Sequence, residues 1–149
     1  MAVKLILSDI DGTLLPRGRA SLDPRVPAAF HAALDAGLYV GPVSGRALPA
    51  ILPVFNEDHA CVRTALTTNG MQVYLDGRLI HEEVLPHDAL CALADIMCDE
   101  PRGGMICFEG PAVHMVCGKV ETLAPIFPTY AANPLLTWAV PATQVVKAN

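Results

Sequence analysis

Asp9 and Asp11, separated by Ile10 and followed by Gly12 and Thr13, are the residues whose types and spacing point most directly to chemistry. They end the run VKLILSDIDGTLL at residues 3–15. Two carboxylates therefore emerge where a buried strand carrying Val3, Leu5, Ile6 and Leu7 stops and the chain must turn. Like charges held so close repel each other, and a divalent cation between them relieves that repulsion. Gly12 lets the backbone approach an anionic ligand, which N–H groups around Asp11 and Gly12 can cradle. An Asp-Gly pair elsewhere is often only a turn. A calcium loop is excluded, because such loops alternate acids with polar residues and end in Glu at their twelfth position, where this chain has Ala20.

Two further polar stretches close apolar runs in the same way. Leu38 to Val43 ends in Ser44-Gly45-Arg46, and Cys61 to Leu66 ends in Thr67-Thr68-Asn69-Gly70. Between the runs lie helical stripes. Val26, Ala29, Phe30, Ala33 and Leu34 repeat at helical spacing up to Gly37, after Ser21 or Asp23 as a cap. Leu48, Ile51, Leu52 and Phe55 form a second stripe that Pro53 should shorten. Strand, helix, strand, helix, strand predicts parallel strands with crossover connections, so all three polar stretches meet at the carboxyl edge of one sheet. There Ser44 can donate its hydroxyl to an anionic oxygen. Arg46 offers a fork of donors to an oxyanion or is a plain surface arginine. Asn69 either orients Asp9 or supplies a left-handed turn before Gly70, and Thr13 braces the loop.

From Met71 the pattern changes. Asp76-Gly77 between Gln72–Leu75 and Arg78–His81 is a two-residue hairpin signal. A helix through Leu90, Leu93, Ala94 and Met97, strands over 105–109 and 112–117 flanking Gly110-Pro111, a helix over 119–130 and a strand over 143–148 complete the reading. The expected division is a core at 1–70 and an α+β appendage at 71–149.

Bulk properties narrow the function classes. The 149 residues are 52% hydrophobic and 17% charged with a net charge of -5, and the ten basic residues form no cluster, which argues against a nucleic-acid partner. No stretch of about 18 apolar residues is present to span a membrane. The N-terminus enters a strand at once, unlike a signal peptide. The five cysteines, an odd number without C-x-x-C spacing, read as reduced thiols of a cytoplasmic protein. His31, His59, His81, His87 and His114 share no metal-ligand spacing, so no zinc site is expected. All five read as ordinary residues, although His81 and His114 in the appended region could touch a substrate.

The three stretches together resemble the haloacid dehalogenase (HAD) superfamily of phosphotransferases, over residues 3 to about 70, and the hairpin after Asn69-Gly70 resembles its Cof-like branch. That resemblance implies an α/β fold with a parallel Rossmann-like core sheet, helices on both its faces, and a partial α+β cap. It implies a Mg²⁺-dependent phosphomonoester hydrolase acting through an aspartyl phosphate on a small phosphorylated metabolite such as a sugar phosphate. Asp9 would be the nucleophile and Asp11 the proton donor to the leaving alcohol, with Mg²⁺ at Asp9 and Asp11. Gly12, Thr13, Ser44, Gly45, Arg46 and Asn69 would bind the phosphate. The family also uses a lysine and a late Gly-Asp-x-x-Asn-Asp motif. Here Lys119 and Lys147 fall beyond the core, and the only acids after Glu100 are Glu109 and Glu121. The expectation is therefore a chain that stops within its cap and is weak or inactive alone. The alternatives are a non-catalytic module that binds a phosphorylated ligand or docks a partner, including a second copy, through an exposed sheet edge, and a phosphomutase.

Overall fold

The computed structural model describes residues 2–19, 21–110, 112–126, 130 and 134–149. The chain divides into two compact units, Met1–Glu82 and Glu83–Asn149.

The first unit is built on a five-stranded sheet in the order β1-β2-β3-β4-β5. β1 (Leu5–Asp9), β2 (Tyr39–Val43) and β3 (Ala65–Thr67) run parallel, whereas β4 (Gln72–Leu75) and β5 (Arg78–Glu82) add antiparallel strands. Helix α1 (Arg25–Asp35) links β1 to β2, and its stripe of Val26, Phe30, Ala33 and Leu34 packs into the core as its spacing predicts. Asp23 accepts the Arg25 backbone N–H at 2.9 Å and pairs with the Arg25 guanidinium. That side-chain bond, with help from the backbone bond, lowers the Asp23 pKa to about 2. After α2 (Leu48–Ile51) the chain tightens into a 3₁₀ turn at Leu52–Phe55, because Pro53 has no N–H for the α-helical ladder. Ile51, Val54 and Phe55 fill the core, and the Phe55 ring lies 5.4 Å from that of Phe30.

Three expectations change. The strand expected over 61–66 is instead a 3₁₀ turn at His59–Val62 followed by the short β3. β1 is not buried: Leu5 is 48% and Ile6 42% exposed, because among the described residues β1 is the outermost strand and pairs only with β2. The break between units falls after Glu82 rather than after Gly70, because β4 bonds directly to β3 from Ala65↔Tyr74 to Thr67↔Gln72. The hairpin itself is as expected, with Asp76 at φ 51° and Gly77 at φ 80°.

The second unit has a four-stranded sheet in the order β8-β7-β6-β9, from β6 (Met105–Glu109), β7 (Ala112–Cys117), β8 (Leu135–Leu136) and β9 (Val145–Ala148). β6 alternates in the manner of a strand covered on both faces. Met105 and Cys107 pack with Leu90 and Ala94 of α3 (His87–Asp99), while Ile106 and Phe108 pack with Val120, Leu123 and Tyr130. Lys147 lies over the Phe108 and Tyr130 rings at 5.0 and 5.2 Å. Of the helix expected over 119–130, only Val120–Leu123 (α4) is helical before residues 127–129, which lie outside the described residues, as does Pro111. The two-residue β8 carries no sequence signal of its own. No helix among the described residues is long and apolar enough to cross a membrane.

Candidate active site

The carboxyl ends of β1, β2 and β3 are neighbours by register: Asp9 pairs with Val43, and Val43 with Leu66. The turn after β1 is shaped by two apolar anchors. Ile10 is fully buried and Leu15 nearly so, and the Leu15 N–H donates to the Ile10 carbonyl at 2.7 Å. With Ile10 pointing inward, Asp9 and Asp11 face solvent on either side of it. Gly12 sits at φ +88°, a conformation that L-residues avoid, with open space where a Cβ would project. Its N–H donates to the Leu15 carbonyl at 2.8 Å, so this amide closes the turn instead of facing a ligand as expected.

Thr13 does more than brace the loop. Its hydroxyl donates to Asp9 Oδ2 at 3.1 Å and fixes the carboxylate that the sequence singles out as nucleophile. Asp11 is held across the sheet edge by Arg46: Nε donates to Oδ2 at 2.9 Å and Nη2 to Oδ1 at 2.7 Å, a two-pronged pair. Arg46 is thus paired with Asp11 and is not a free surface arginine. Ser44, buried at 6% exposure, accepts the Arg46 N–H on Oγ at 3.2 Å, which leaves its own O–H proton to donate elsewhere.

The third loop locks onto the second. The Asn69 N–H donates to the Ser44 carbonyl at 3.2 Å, and the Thr68 N–H to the Arg46 carbonyl at 3.0 Å. Asn69 takes up the left-handed turn (φ 59°, ψ 30°), and among the described residues no hydrogen bond joins it to Asp9. The hydrogen bond to the Asp9 carboxylate comes from Thr13 instead. A Cβ at Gly45 would lie 2.7 Å from Asn69 Oδ1, so a larger residue there would have to turn the Asn69 side chain aside.

Thr68 is the residue that the sequence reading missed. It is β-branched yet sits at φ 52°, is 2% exposed, and its buried hydroxyl has no partner among the described residues. Such strain beside an orphan polar atom concentrates at functional sites. The only signal for it was the polar Thr67-Thr68 pair at a strand end. Of the two histidines read as able to touch a substrate, His81 belongs to β5 of the first unit, and His114, largely buried in the second, lies 3.0 Å from Glu109.

A hard divalent cation suits the carboxylate oxygens of this turn. Asp9 keeps Oδ1 outside its bond to Thr13, whereas both oxygens of Asp11 are engaged by Arg46. The residues therefore fit a cation at Asp9, and sharing it with the Asp11 side chain requires Arg46 to let go.

No curated protein matches the chain at significant similarity. Solved structures share its fold. A protein of Geobacillus kaustophilus HTA426 is 19% identical with a TM-score of 0.76, over 99% of this chain and 57% of its own. A sugar phosphatase of HAD subclass IIB is 18% identical with a TM-score of 0.71, over 98% and 57%. A HAD/COF-like protein of Plasmodium vivax is 20% identical with a TM-score of 0.73, over 90% and 49%. The chain thus spans less than two thirds of the length of these proteins. The family model for haloacid dehalogenase-like hydrolases matches residues 6–117, well over half of the chain. The chain belongs to the haloacid dehalogenase-like hydrolases.

Proposed function

We propose that the protein acts as a Mg²⁺-dependent phosphomonoester hydrolase on a small phosphorylated metabolite, with residues 1–82 carrying the catalytic turn and residues 83–149 belonging to a cap. The observation that carries this reading is the pairing of Asp11 with Arg46 across the ends of adjacent parallel strands, beside an Asp9 held by Thr13. Asp9, exposed and fixed, attacks phosphorus along the line of the leaving oxygen. Arg46 moves its fork from Asp11 to the phosphoryl oxygens; the released Asp11 carboxylate takes up a proton from solvent, passes it to the leaving oxygen as that oxygen's bond to phosphorus breaks, and later takes a proton from the water that displaces Asp9 from phosphorus. Ser44, with its O–H proton uncommitted to Arg46, donates to a second phosphoryl oxygen, and Thr68 to another from its buried position. Mg²⁺ at Asp9 would offset the repulsion between carboxylate and phosphate.

A second reading, a non-catalytic module that binds phosphorylated ligands, is favoured by one feature: both Asp11 oxygens are occupied, so the acid is not poised. Phosphate release from a panel of phosphomonoesters, with and without Mg²⁺, separates the two when paired with binding of inorganic phosphate. The hydrolase reading expects Mg²⁺-dependent turnover that Asp9→Asn lowers by at least about 10³-fold. Because this chain lacks the lysine and the late acidic motif that the family uses, turnover here is expected to be weak, and phosphate binding without turnover selects the module only when adding a segment that carries those groups also fails to give turnover. A folded protein that neither turns over nor binds phosphate overturns both.

A further inference from the structure

Outside the phosphate site, the first unit gathers three side chains of a different chemistry. His31 on α1, Asp58 at the start of the 3₁₀ turn and Cys61 within that turn present Nε2, Oδ2 and Sγ within 4.8 Å of one another. We propose that these three residues form a Zn²⁺ site, with solvent as the fourth ligand, that ties α1 to the turn leading into β3.

The donor set selects the metal. Imidazole nitrogen, thiolate sulfur and one carboxylate oxygen suit Zn²⁺ and not the all-oxygen preference of Mg²⁺ or Ca²⁺. At the usual bond lengths, ligand atoms around tetrahedral zinc lie roughly 3.3–3.6 Å apart. Asp58 Oδ2 is 3.5 Å from Cys61 Sγ, already at that spacing, and 2.7 Å from His31 Nε2, the length of the hydrogen bond that the metal replaces. His31 is the half-exposed member and can swing outward to open that gap, whereas Cys61 is fully buried.

The ligands are also braced. Asp58 Oδ1 accepts the Ala60 N–H at 3.1 Å, so one carboxylate oxygen is held by the backbone and the other is turned toward His31 and Cys61. Bracing of this kind is how protein sites orient metal ligands. On binding, the Cys61 sulfur gives up its proton to solvent, His31 contributes the neutral Nε2 lone pair, and the open side beside His31 admits water. The site escaped sequence reading because His31 comes from a helix 27 residues before Asp58, so no motif spacing links them. It shares no residue with the Asp9 turn and stands whether or not that turn hydrolyses phosphate.

Titration of the metal-free 149-residue chain with Co²⁺, followed by Zn²⁺ displacement, tests the assignment. The expected result is a thiolate-to-cobalt charge-transfer band at one equivalent, displaced by Zn²⁺ and retained in Asp9→Asn. Cys61→Ser abolishes the band, and His31→Ala weakens Zn²⁺ binding at least about 10-fold. Because Cys61 is buried and its variant can fail to fold, the exposed His31 carries the decisive substitution. Absence of the band overturns the proposal. So does a Zn²⁺ affinity left unchanged by His31→Ala, or a band that disappears in His87→Ala, since His87 and Cys91 form a separate pair 3.7 Å apart on α3.

Discussion

Arg46→Ala tests the switch at the centre of the proposed mechanism. Arg46 makes two bonds to Asp11, of 2.9 and 2.7 Å, with side chains 33% and 54% exposed respectively. Pairs this open to water are worth roughly 0.2–1 kcal/mol, and the two-pronged geometry places this one near the top, at about 1 kcal/mol. Hydrogen bonds from the same fork to a phosphoryl anion are worth roughly 1.5–3 kcal/mol. Moving the guanidinium from Asp11 to phosphate therefore leaves a net gain of roughly 0.5–2 kcal/mol, or about 2–30-fold in affinity. Calorimetric titration with inorganic phosphate should show a loss in that range for Arg46→Ala. Arg46→Lys should fall between, since it keeps the charge but not the fork. Stability to urea should drop by no more than about 1 kcal/mol. Phosphate affinity that is unchanged or tighter in Arg46→Ala would refute the switch and leave Arg46 as a clamp that only holds Asp11.

Thr68→Gly removes a β-branched residue from the left-handed region, a conformation that costs roughly 1–2 kcal/mol, and deletes the orphan hydroxyl. Its urea midpoint should be equal to or above that of the parent while phosphate binding weakens; a clear fall in stability would show that Thr68 packing outweighs its strain. At Asp23, the pairing with Arg25 holds the pKa at about 2, below the ordinary 3.8. Because the folded value is the lower one, its contribution to stability is full above pH 3.8 and fades as the pH falls toward 2. An NMR titration of the Asp23 carboxyl should find that low midpoint and see it rise toward 3.8 in Arg25→Gln; a midpoint already at 3.8 in the parent would show that the pair does not persist in solution.

What could be read from the sequence followed from local rules. The stripe of α1, the shortening at Pro53, the hairpin at Asp76-Gly77 and the strands at 105–109 and 112–117 are each dictated by period, proline or turn chemistry within a few residues. The convergence of the three polar loops was also legible, because parallel strands place their carboxyl ends on one edge. What escaped depends on neighbours distant in the chain. The burial of β1 depends on what lies beyond it in the sheet, and an apolar pentapeptide reads the same with or without a second partner. The choice of Arg46 by Asp11 spans 35 residues. Thr68 in a left-handed turn contradicts its own propensity, so only tertiary context reveals it.

The edge position of β1 bears on how the acids are held. A strand with one hydrogen-bonded neighbour among the described residues and partly exposed apolar side chains cannot by itself fix the turn that leaves it. The turn instead carries its own anchors. Ile10 and Leu15 are sunk in the core and bonded to each other through the backbone, and the Gly12 N–H closes on Leu15. Asp9 and Asp11 project from a loop secured at both ends by burial, and Thr13 and Arg46 then set the two carboxylates from opposite sides. This explains why the Gly12 amide, expected to meet a ligand, closes the turn instead. The positioning of the acids rests on the turn, α1 and β2, all within the first unit, so Ile10→Ala should disorder the pair more than any substitution along β1.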